Sequence, residues 1–184
     1  MALRKAGTYS KKYARPFTRT SRNKSKSYIK TIPVTKVVKF HIGNQIDYAN
    51  GKHTYAVSMI SEQKVQVRDT ALEAARMALT KELDEKILGQ YYLAVKVYPH
   101  HFLRENKLAA GAGADRMATG MTQSYGVIIG RAALVGAGQP LFFISTATEK
   151  GAQIARDALQ KVRAKVPCAT RLVFRKLTVD SVSN

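Results

Sequence analysis

The segment Asp69–Tyr98 (DTALEAARMALTKELDEKILGQYYLAVKVY) contains a helical pattern followed directly by a strand pattern. Apolar residues recur every three or four positions up to Gly89, as expected of an amphipathic helix that ends at a glycine. Asp69 is predicted to be the N-cap of this helix. Beyond the glycine, apolar residues alternate with others until Pro99, so a strand is predicted over 91–98.

The segments on both sides repeat this mixture of strands and one helix. Patterns rich in β-branched and aromatic residues predict further strands, over 36–42, 54–67, 127–135, 141–147 and 169–177. A second amphipathic helix is predicted over 148–164. The element order is therefore β-β-α-β, a long loop, and β-β-α-β again. This order predicts a single α+β domain with its helices packed against the sheet.

Positive charge dominates the composition. The chain of 184 residues has 31 Lys and Arg against 12 Asp and Glu, a formal net charge of +19. Such an excess indicates a polyanionic partner, with nucleic acid favoured over an anionic membrane surface. No apolar run approaches the ~20 residues that a membrane helix needs, and no secretory signal is expected. The lone Cys168 excludes an intramolecular disulfide and favours a reducing compartment.

Residues 1–33 are predicted to form a basic arm. Twelve Lys and Arg residues lie within the first 40 positions, which contain no acid, and aromatic residues are interleaved with them. Cations neutralise phosphates and aromatic rings stack on bases, so the arm suits an RNA partner. Because it has few aliphatic residues, the arm is expected to fold onto that partner rather than onto itself. The alternative is that its rings anchor it to the domain. Its candidate RNA-binding residues are Arg4, Lys5, Lys11, Lys12, Arg15, Arg19, Arg22 and Lys24.

A second basic surface is predicted on the last helix and strand, where 158–179 contains no acid. Strand alternation places Arg171 and Arg175 on one face, with Leu172 and Phe174 facing the core. Arg171 and Arg175 are therefore candidate RNA-binding residues that extend the basic surface. The alternative is an ordinary solvated charged face.

Residues 99–126 form a long connection, and such connections within a compact domain are usually functional or disordered. The centre around Gly111 and Gly113 contains only small residues, so the backbone can approach another surface closely. Three basic residues flank this tip: Arg104, Lys107 and Arg116. A small tip with basic flanks suits a narrow, negatively charged cleft, whereas the alternative is a surface loop with no partner.

Motifs for catalysis, nucleotide binding or metal binding are incomplete. The run 111–116 begins like a dinucleotide-binding motif but lacks the third glycine and the βαβ setting. The adjacent His100 and His101 have poor spacing for a metal, and Cys168 has no base near it in sequence. We therefore predict no catalytic residues, no metal site and no cofactor. A stand-alone RNA-modifying enzyme with a basic docking arm is the alternative function.

Several motifs together resemble a known protein family. They are the run Tyr98-Pro-His-His-Phe-Leu-Arg-Glu-Asn-Lys107, the run Ala112-Gly-Ala-Asp-Arg116, and Gly120-Met121. These runs are similar to the L-sixteen family of large-subunit ribosomal proteins, in its archaeal and eukaryotic branch, often called L-ten-e. The helical run Ala71–Arg76 and the basic, Tyr-rich beginning fit as well, so that the resemblance covers most of the chain.

The resemblance implies an α/β-hammerhead fold and a place in the cytoplasmic large ribosomal subunit, with large-subunit rRNA and neighbouring ribosomal proteins as partners. The family's long internal loop, here 102–116, points toward the peptidyl transferase region and the tRNA sites. The expected organisation is an rRNA-binding arm over 1–33, an α+β domain over 34–178 with a functional loop over 99–126, and a tail over 179–184. Neither a membrane partner nor a homo-oligomer is expected.

Overall fold

The computed structural model describes residues 5–10, 33–105 and 127–177 of the chain. Three helices and eight strands lie within these ranges. In chain order they are β1 (His41–Gly43), α1 (Gln45–Ala49), β2 (Tyr55–Ser61), β3 (Val65–Arg68), α2 (Asp69–Ile87), β4 (Tyr91–Val95), β5 (His101–Glu105), β6 (Val127–Val135), β7 (Pro140–Thr146), α3 (Glu149–Val162) and β8 (Thr170–Lys176). A 3-10 turn over Arg163–Lys165 follows α3.

The described strands form two antiparallel sheets. The larger sheet has the order β1-β4-β7-β2-β8, and the smaller has the order β3-β6-β5. Helices α2 and α3 contact each other and strands of the larger sheet. The predicted α+β class is therefore confirmed. The predicted strand 54–67 is two strands, because an exposed polar bend at 62–64 separates β2 from β3 and directs them into different sheets.

The core lies between the two helices and the larger sheet. In α2, the predicted three- and four-residue spacing places Leu72, Leu79 and Leu83 fully inside. They belong to one apolar cluster with Met59 of β2 and Phe142 of β7. Each fully buried aliphatic or aromatic side chain contributes about 1.5–3 kcal/mol through the area it removes from water. This cluster consequently holds the helices on the sheet.

Asp69 has a different role from the one predicted. It is the first residue of α2, with Arg68 at the N-cap position and no side-chain cap bond from that residue. The Asp69 carboxylate accepts hydrogen bonds from the backbone N–H of Thr70 (2.8 Å) and of Lys36 (3.1 Å). The second bond holds the chain near Lys36 against the start of α2. Of the predicted strand 36–42, only the end belongs to β1.

Residues 101–105 correct the prediction of a continuous loop over 99–126. They form β5, which pairs with β6 through Phe102 opposite Arg131 and Leu103 opposite Gly130. His101, Phe102 and Leu103 are buried. The short run His-Phe-Leu-Arg-Glu shows no apolar alternation, and its partner strand is distant in sequence, so the strand pattern was not recognisable. The residues 106–126 that follow lie outside the described ranges.

Residues 5–10 also depart from expectation, because they lie on the domain. The backbone N–H of Gln66 in β3 donates to the Ser10 carbonyl (3.0 Å), and the Gln66 side-chain amide donates to the Tyr9 carbonyl (3.0 Å). Arg68 donates to the Lys5 carbonyl (2.6 Å). Ser10 and Gln66 are buried. These six residues therefore cover the outer edge of β3, an edge strand, and are part of the fold.

Deleting residues 1–10 is expected to destabilise the folded domain by about 1–3 kcal/mol, because it leaves the buried N–H of Gln66 without its acceptor. Urea unfolding followed by circular dichroism measures the change. Deleting residues 1–4 alone is the control and is expected to leave the unfolding midpoint unchanged. Equal midpoints for the full chain and the 1–10 deletion would show that these contacts do not stabilise the domain.

Candidate nucleic-acid interface

Strand β8 carries the basic surface predicted at the end of the chain. It is the last strand of the larger sheet and pairs only with β2 among the described strands, so one of its edges is unpaired there. Arg171 is opposite Ile60 and Arg175 is opposite Ala56, whereas Leu172 is opposite the core residue Met59. The two arginines thus share the face away from the core, as predicted.

The arginines of β8 are available for an external anion. Arg171, Arg175 and the adjacent Lys176 are exposed. None of the three forms a salt bridge with a residue in the described part of the chain. Three exposed cations on one strand, none in a described salt bridge, make β8 the strongest candidate for phosphate contact in the described structure.

Phe174 differs from its predicted position in the core. It lies opposite the buried Val57 and so is on the core side of the sheet, but 51% of it is exposed. The reason is that β8 is an edge strand, and no described element covers its C-terminal end, where Phe174 lies. Its ring contacts only one other described ring, that of Tyr55, at 5.8 Å between centroids. Strand alternation correctly predicts its face but cannot show where the core ends.

Neighbouring cations on α3 and the 3-10 turn are less available. Lys161 forms a salt bridge with Glu82 of α2 (2.7 Å), and Lys86 contacts the same carboxylate (2.5 Å). These hydrogen bonds, that from Lys161 first, lower the pKa of Glu82. Arg163 donates to the carbonyl (2.8 Å) and hydroxyl (3.2 Å) oxygens of Thr170 at the start of β8. Lys161 therefore links two helices, and Arg163 fixes β8 to the end of α3.

The predicted loop residues are only partly within the described ranges. Arg104 lies on β5, opposite Ile128 of β6. Lys107, Gly111, Gly113 and Arg116 lie outside those ranges. The last pair of the β5–β6 hairpin is Glu105 opposite Val127, so the chain between them leaves and returns at adjacent positions.

The candidate residues of the N-terminal arm are also mostly outside the described ranges. Lys5 is described: it is exposed, and its carbonyl accepts the hydrogen bond from Arg68. The other candidates are outside: Arg4, Lys11, Lys12, Arg15, Arg19, Arg22 and Lys24. Their role in RNA binding stays a prediction.

Arg131 of β6 is a basic residue that sequence reasoning missed. It lies over the ring of Phe102 (5.1 Å to the centroid) and donates to the Pro33 carbonyl (2.7 Å) and to the Tyr98 hydroxyl (3.2 Å). Arg131 therefore fixes the point where the N-terminal segment enters the domain. A single basic residue in an apolar strand gives no sequence signal for this role.

Two of the histidines contact hydroxyl groups of neighbouring side chains, and the cysteine is partly buried. His41 contacts the Tyr92 hydroxyl (2.7 Å), and the buried His53 contacts the Ser145 hydroxyl (2.8 Å). Burial raises the pKa of the Cys168 thiol, which keeps it protonated and poorly nucleophilic. Within the described residues, no cluster of His, Cys, Asp and Glu is arranged to hold a metal ion.

Comparison with known proteins decides the family. The sequence model described as "Ribosomal protein L16p/L10e" matches residues 15–173. The chain belongs to the L16p/L10e family of ribosomal proteins. The predicted resemblance is therefore confirmed, and so is the prediction that the chain is not an enzyme: members of this family are structural components of the ribosome. The alternative of an RNA-modifying enzyme is set aside. Membership also agrees with the predicted cytoplasmic, ribosomal location.

Archaeal members of the L16p/L10e family match over nearly their full length. The large ribosomal subunit protein uL16 of Staphylothermus marinus is 38% identical over 178 residues, which cover 96% of either chain. The protein of the same name from Archaeoglobus fulgidus is 34% identical over 174 residues, 94% of either chain. That from Methanococcus maripaludis is 38% identical over 177 residues, 96% of either chain. Among the described residues, no helix has the length and apolar character to cross a membrane.

Proposed function

We propose that this L16p/L10e protein is a constituent of the large ribosomal subunit that binds large-subunit rRNA. The relatives that match over nearly the whole chain are named as proteins of that subunit. The carrying observation in the structure is β8, whose exposed arginines, Arg171 and Arg175, form no salt bridge with a described carboxylate. A surface of this kind binds phosphates by releasing condensed counterions.

The two basic regions of the chain have different parts in this proposal. Strand β8 provides a rigid surface, since it is paired along its length with β2 and fixed to α3 through Arg163. The N-terminal arm beyond Ser10 adds charge, with cations that continue from Lys11 to Lys39 without an acid. Residues 5–10, which lie on β3, fix where that arm leaves the domain. Together they position a basic arm relative to a basic strand.

The finer part of the proposal concerns the loop between β5 and β6. Its basic flanks and small tip, with Gly111 and Gly113, suit a narrow cleft between RNA segments. The hairpin pairs up to Glu105 and Val127, so it holds both ends of the loop at one place. We propose that this loop supports tRNA placement near the peptidyl transferase centre. Neighbouring ribosomal proteins are further partners, and the protein acts as a single copy.

Binding of the full chain to purified large-subunit rRNA at increasing salt tests the rRNA part of the proposal. The logarithm of the affinity is expected to fall linearly with the logarithm of the salt concentration, by roughly 0.7–0.9 for each phosphate neutralised. Filter binding or fluorescence anisotropy measures this slope. An affinity that does not change with salt, or no binding to rRNA, would contradict the proposal.

A further inference from the structure

An open groove lies between α3 and the edge strand β8. It has a volume of about 560 Å³, within the range of small-molecule sites. Its apolar lining comes from both elements and from β2: Val57, Ala152, Leu172 and Phe174. One of these lining residues, Phe174, is aromatic and has 51% of its area exposed to water.

Polar groups surround this apolar lining. Three arginines take part in the lining: Arg156, Arg163 and Arg171. Arg163 is held by Thr170, whereas Arg156 and Arg171 form no ion pair with any described residue. The amide side chains of Gln153 and Gln160 and the carboxylates of Glu62 and Glu149 also line the groove. The groove therefore offers cations, amides and carboxylates around an aromatic ring.

We infer that this groove binds one unpaired RNA base, which stacks on Phe174 while Arg156 and Arg171 contact its phosphates. The inference rests on the proposed function, and it specifies which part of the RNA this surface takes. Single-stranded nucleotides are recognised by stacking on aromatic rings and by polar contacts to their base edges. Gln153 supplies an amide for those edges, and the carboxylates of Glu62 and Glu149 are acceptors for a ring N–H such as N3–H of uracil.

The position of Phe174 also separates base from backbone. The ring lies on the core side of β8, whereas Arg175 lies on the other face of the strand, and Arg171, on that same face, also borders the groove. A nucleotide that places its base in the groove keeps its backbone along the unpaired edge, within reach of cations from both faces. Duplex RNA cannot use the groove in this way, because its bases are already stacked and paired.

Other aromatic clusters in the described structure are less suited to a base. Tyr98 is partly exposed, but it is stacked on Phe40 (5.2 Å between centroids) and has His100 at 4.5 Å. Tyr92 is buried and is stacked on Tyr48 at 4.7 Å. Their ring faces are occupied by other side chains. Phe174 has a single described ring beside it, Tyr55, at a tilt of 39°, so it is the ring best placed to accept a base.

The test compares single-stranded and duplex RNA. Fluorescence anisotropy of the full chain is measured with a labelled oligouridylate of about ten nucleotides and with a blunt RNA duplex of the same length. Phe174→Ala is expected to weaken oligouridylate binding about 5- to 100-fold, the loss associated with one stacked base, and to leave duplex binding unchanged. The salt slope for oligouridylate is expected to stay the same, because stacking releases no counterions.

Two matched variants separate stacking from packing and from general apolar contact. Phe174→Trp keeps an aromatic face and is expected to retain the affinity for oligouridylate. Leu88→Ala removes another exposed apolar side chain, far in sequence from the groove, and is expected to change neither affinity. Circular dichroism of each variant checks the fold. Equal affinities for Phe174→Ala and the full chain, or equal losses on single-stranded and duplex RNA, would overturn the inference.

The partner in the assembled particle is tested by photo-crosslinking from position 174. Phe174→p-benzoylphenylalanine in purified large subunits is expected to give an adduct with RNA. An adduct with a protein segment would overturn the inference and identify the groove as a protein-docking site instead. If the unaltered chain binds neither oligouridylate nor rRNA, the proposed function itself fails. If the unaltered chain binds rRNA normally and Phe174→Ala has the same affinity for oligouridylate as the unaltered chain, only the groove inference is contradicted.

Discussion

Reversing Arg171 and Arg175 to glutamate is expected to weaken binding to large-subunit rRNA by at least about tenfold at 0.1 M salt, because two phosphate contacts and their counterion release are lost. The salt slope is expected to become shallower by about 1.4–1.8, the contribution of two phosphates. Both residues are exposed on a strand whose neighbouring cation, Lys176, is also without a described ion pair. The reversal therefore breaks no described salt bridge. Filter binding at several salt concentrations measures both quantities.

The matched control reverses the same number of charges on α2. Lys81 and Lys86 are also exposed, but their ammonium groups face Glu85 (3.9 Å) and Glu82 (2.5 Å). These pairs make α2 locally balanced, so Lys81→Glu with Lys86→Glu is expected to reduce rRNA affinity much less. Circular dichroism is needed for this control, because like charges at i,i+4 destabilise a helix by about 0.2–0.5 kcal/mol for each pair. Equal losses from both double variants would show that only total charge determines the affinity.

Deleting Leu108–Ala114 is expected to lower the rate of peptide synthesis by at least about tenfold, a change of ~1.4 kcal/mol in the rate-limiting barrier, while the protein still enters the subunit. The small residues at the tip have little apolar area to bury. The hairpin pairs from His101 to Glu105, outside the deletion, so the fold is expected to keep its stability. Large subunits reconstituted with the full and the shortened chain allow incorporation, tRNA binding and synthesis to be compared.

A variant of the same loop without its flanking charges tests whether those cations are needed for peptide synthesis. Changing Arg104, Lys107 and Arg116 to glutamine keeps the loop length and removes the cations that flank the tip. This triple variant is expected to reproduce part of the synthesis defect. Matched incorporation together with matched synthesis rates for the deletion would contradict a role in translation. Failed incorporation would instead assign the loop to assembly.

Local pattern was sufficient to predict most elements of the fold. The helices α2 and α3 have three- and four-residue apolar spacing, and the strands β6, β7 and β8 differ from their predicted limits by at most one residue at each end. Strand β5 was missed because its stabilising partner, β6, is distant in sequence and its own residues do not alternate. The division of 54–67 into β2 and β3 was missed for a similar reason, since the two strands pair in different sheets.

The candidate site was predictable in charge but not in shape. The absence of acids over 158–179 indicates a basic surface, and alternation correctly places Arg171 and Arg175 together. Sequence could not show that Lys161 is used in a salt bridge with Glu82, because that contact joins two helices. It also could not show that Phe174 is exposed, because that depends on β8 being an edge strand of the sheet. Both facts depend on tertiary structure.

Sedimentation of the full chain with large ribosomal subunits after a high-salt wash tests the central claim most directly. A constituent of the subunit makes many rRNA and protein contacts at once, and we expect the chain to stay with the large-subunit fraction in one copy for each subunit. A weakly bound polycation is expected to leave, because its attraction to RNA is mostly ionic and is screened by salt. Recovery of the chain at the top of the gradient, with intact subunits below it, would contradict the account.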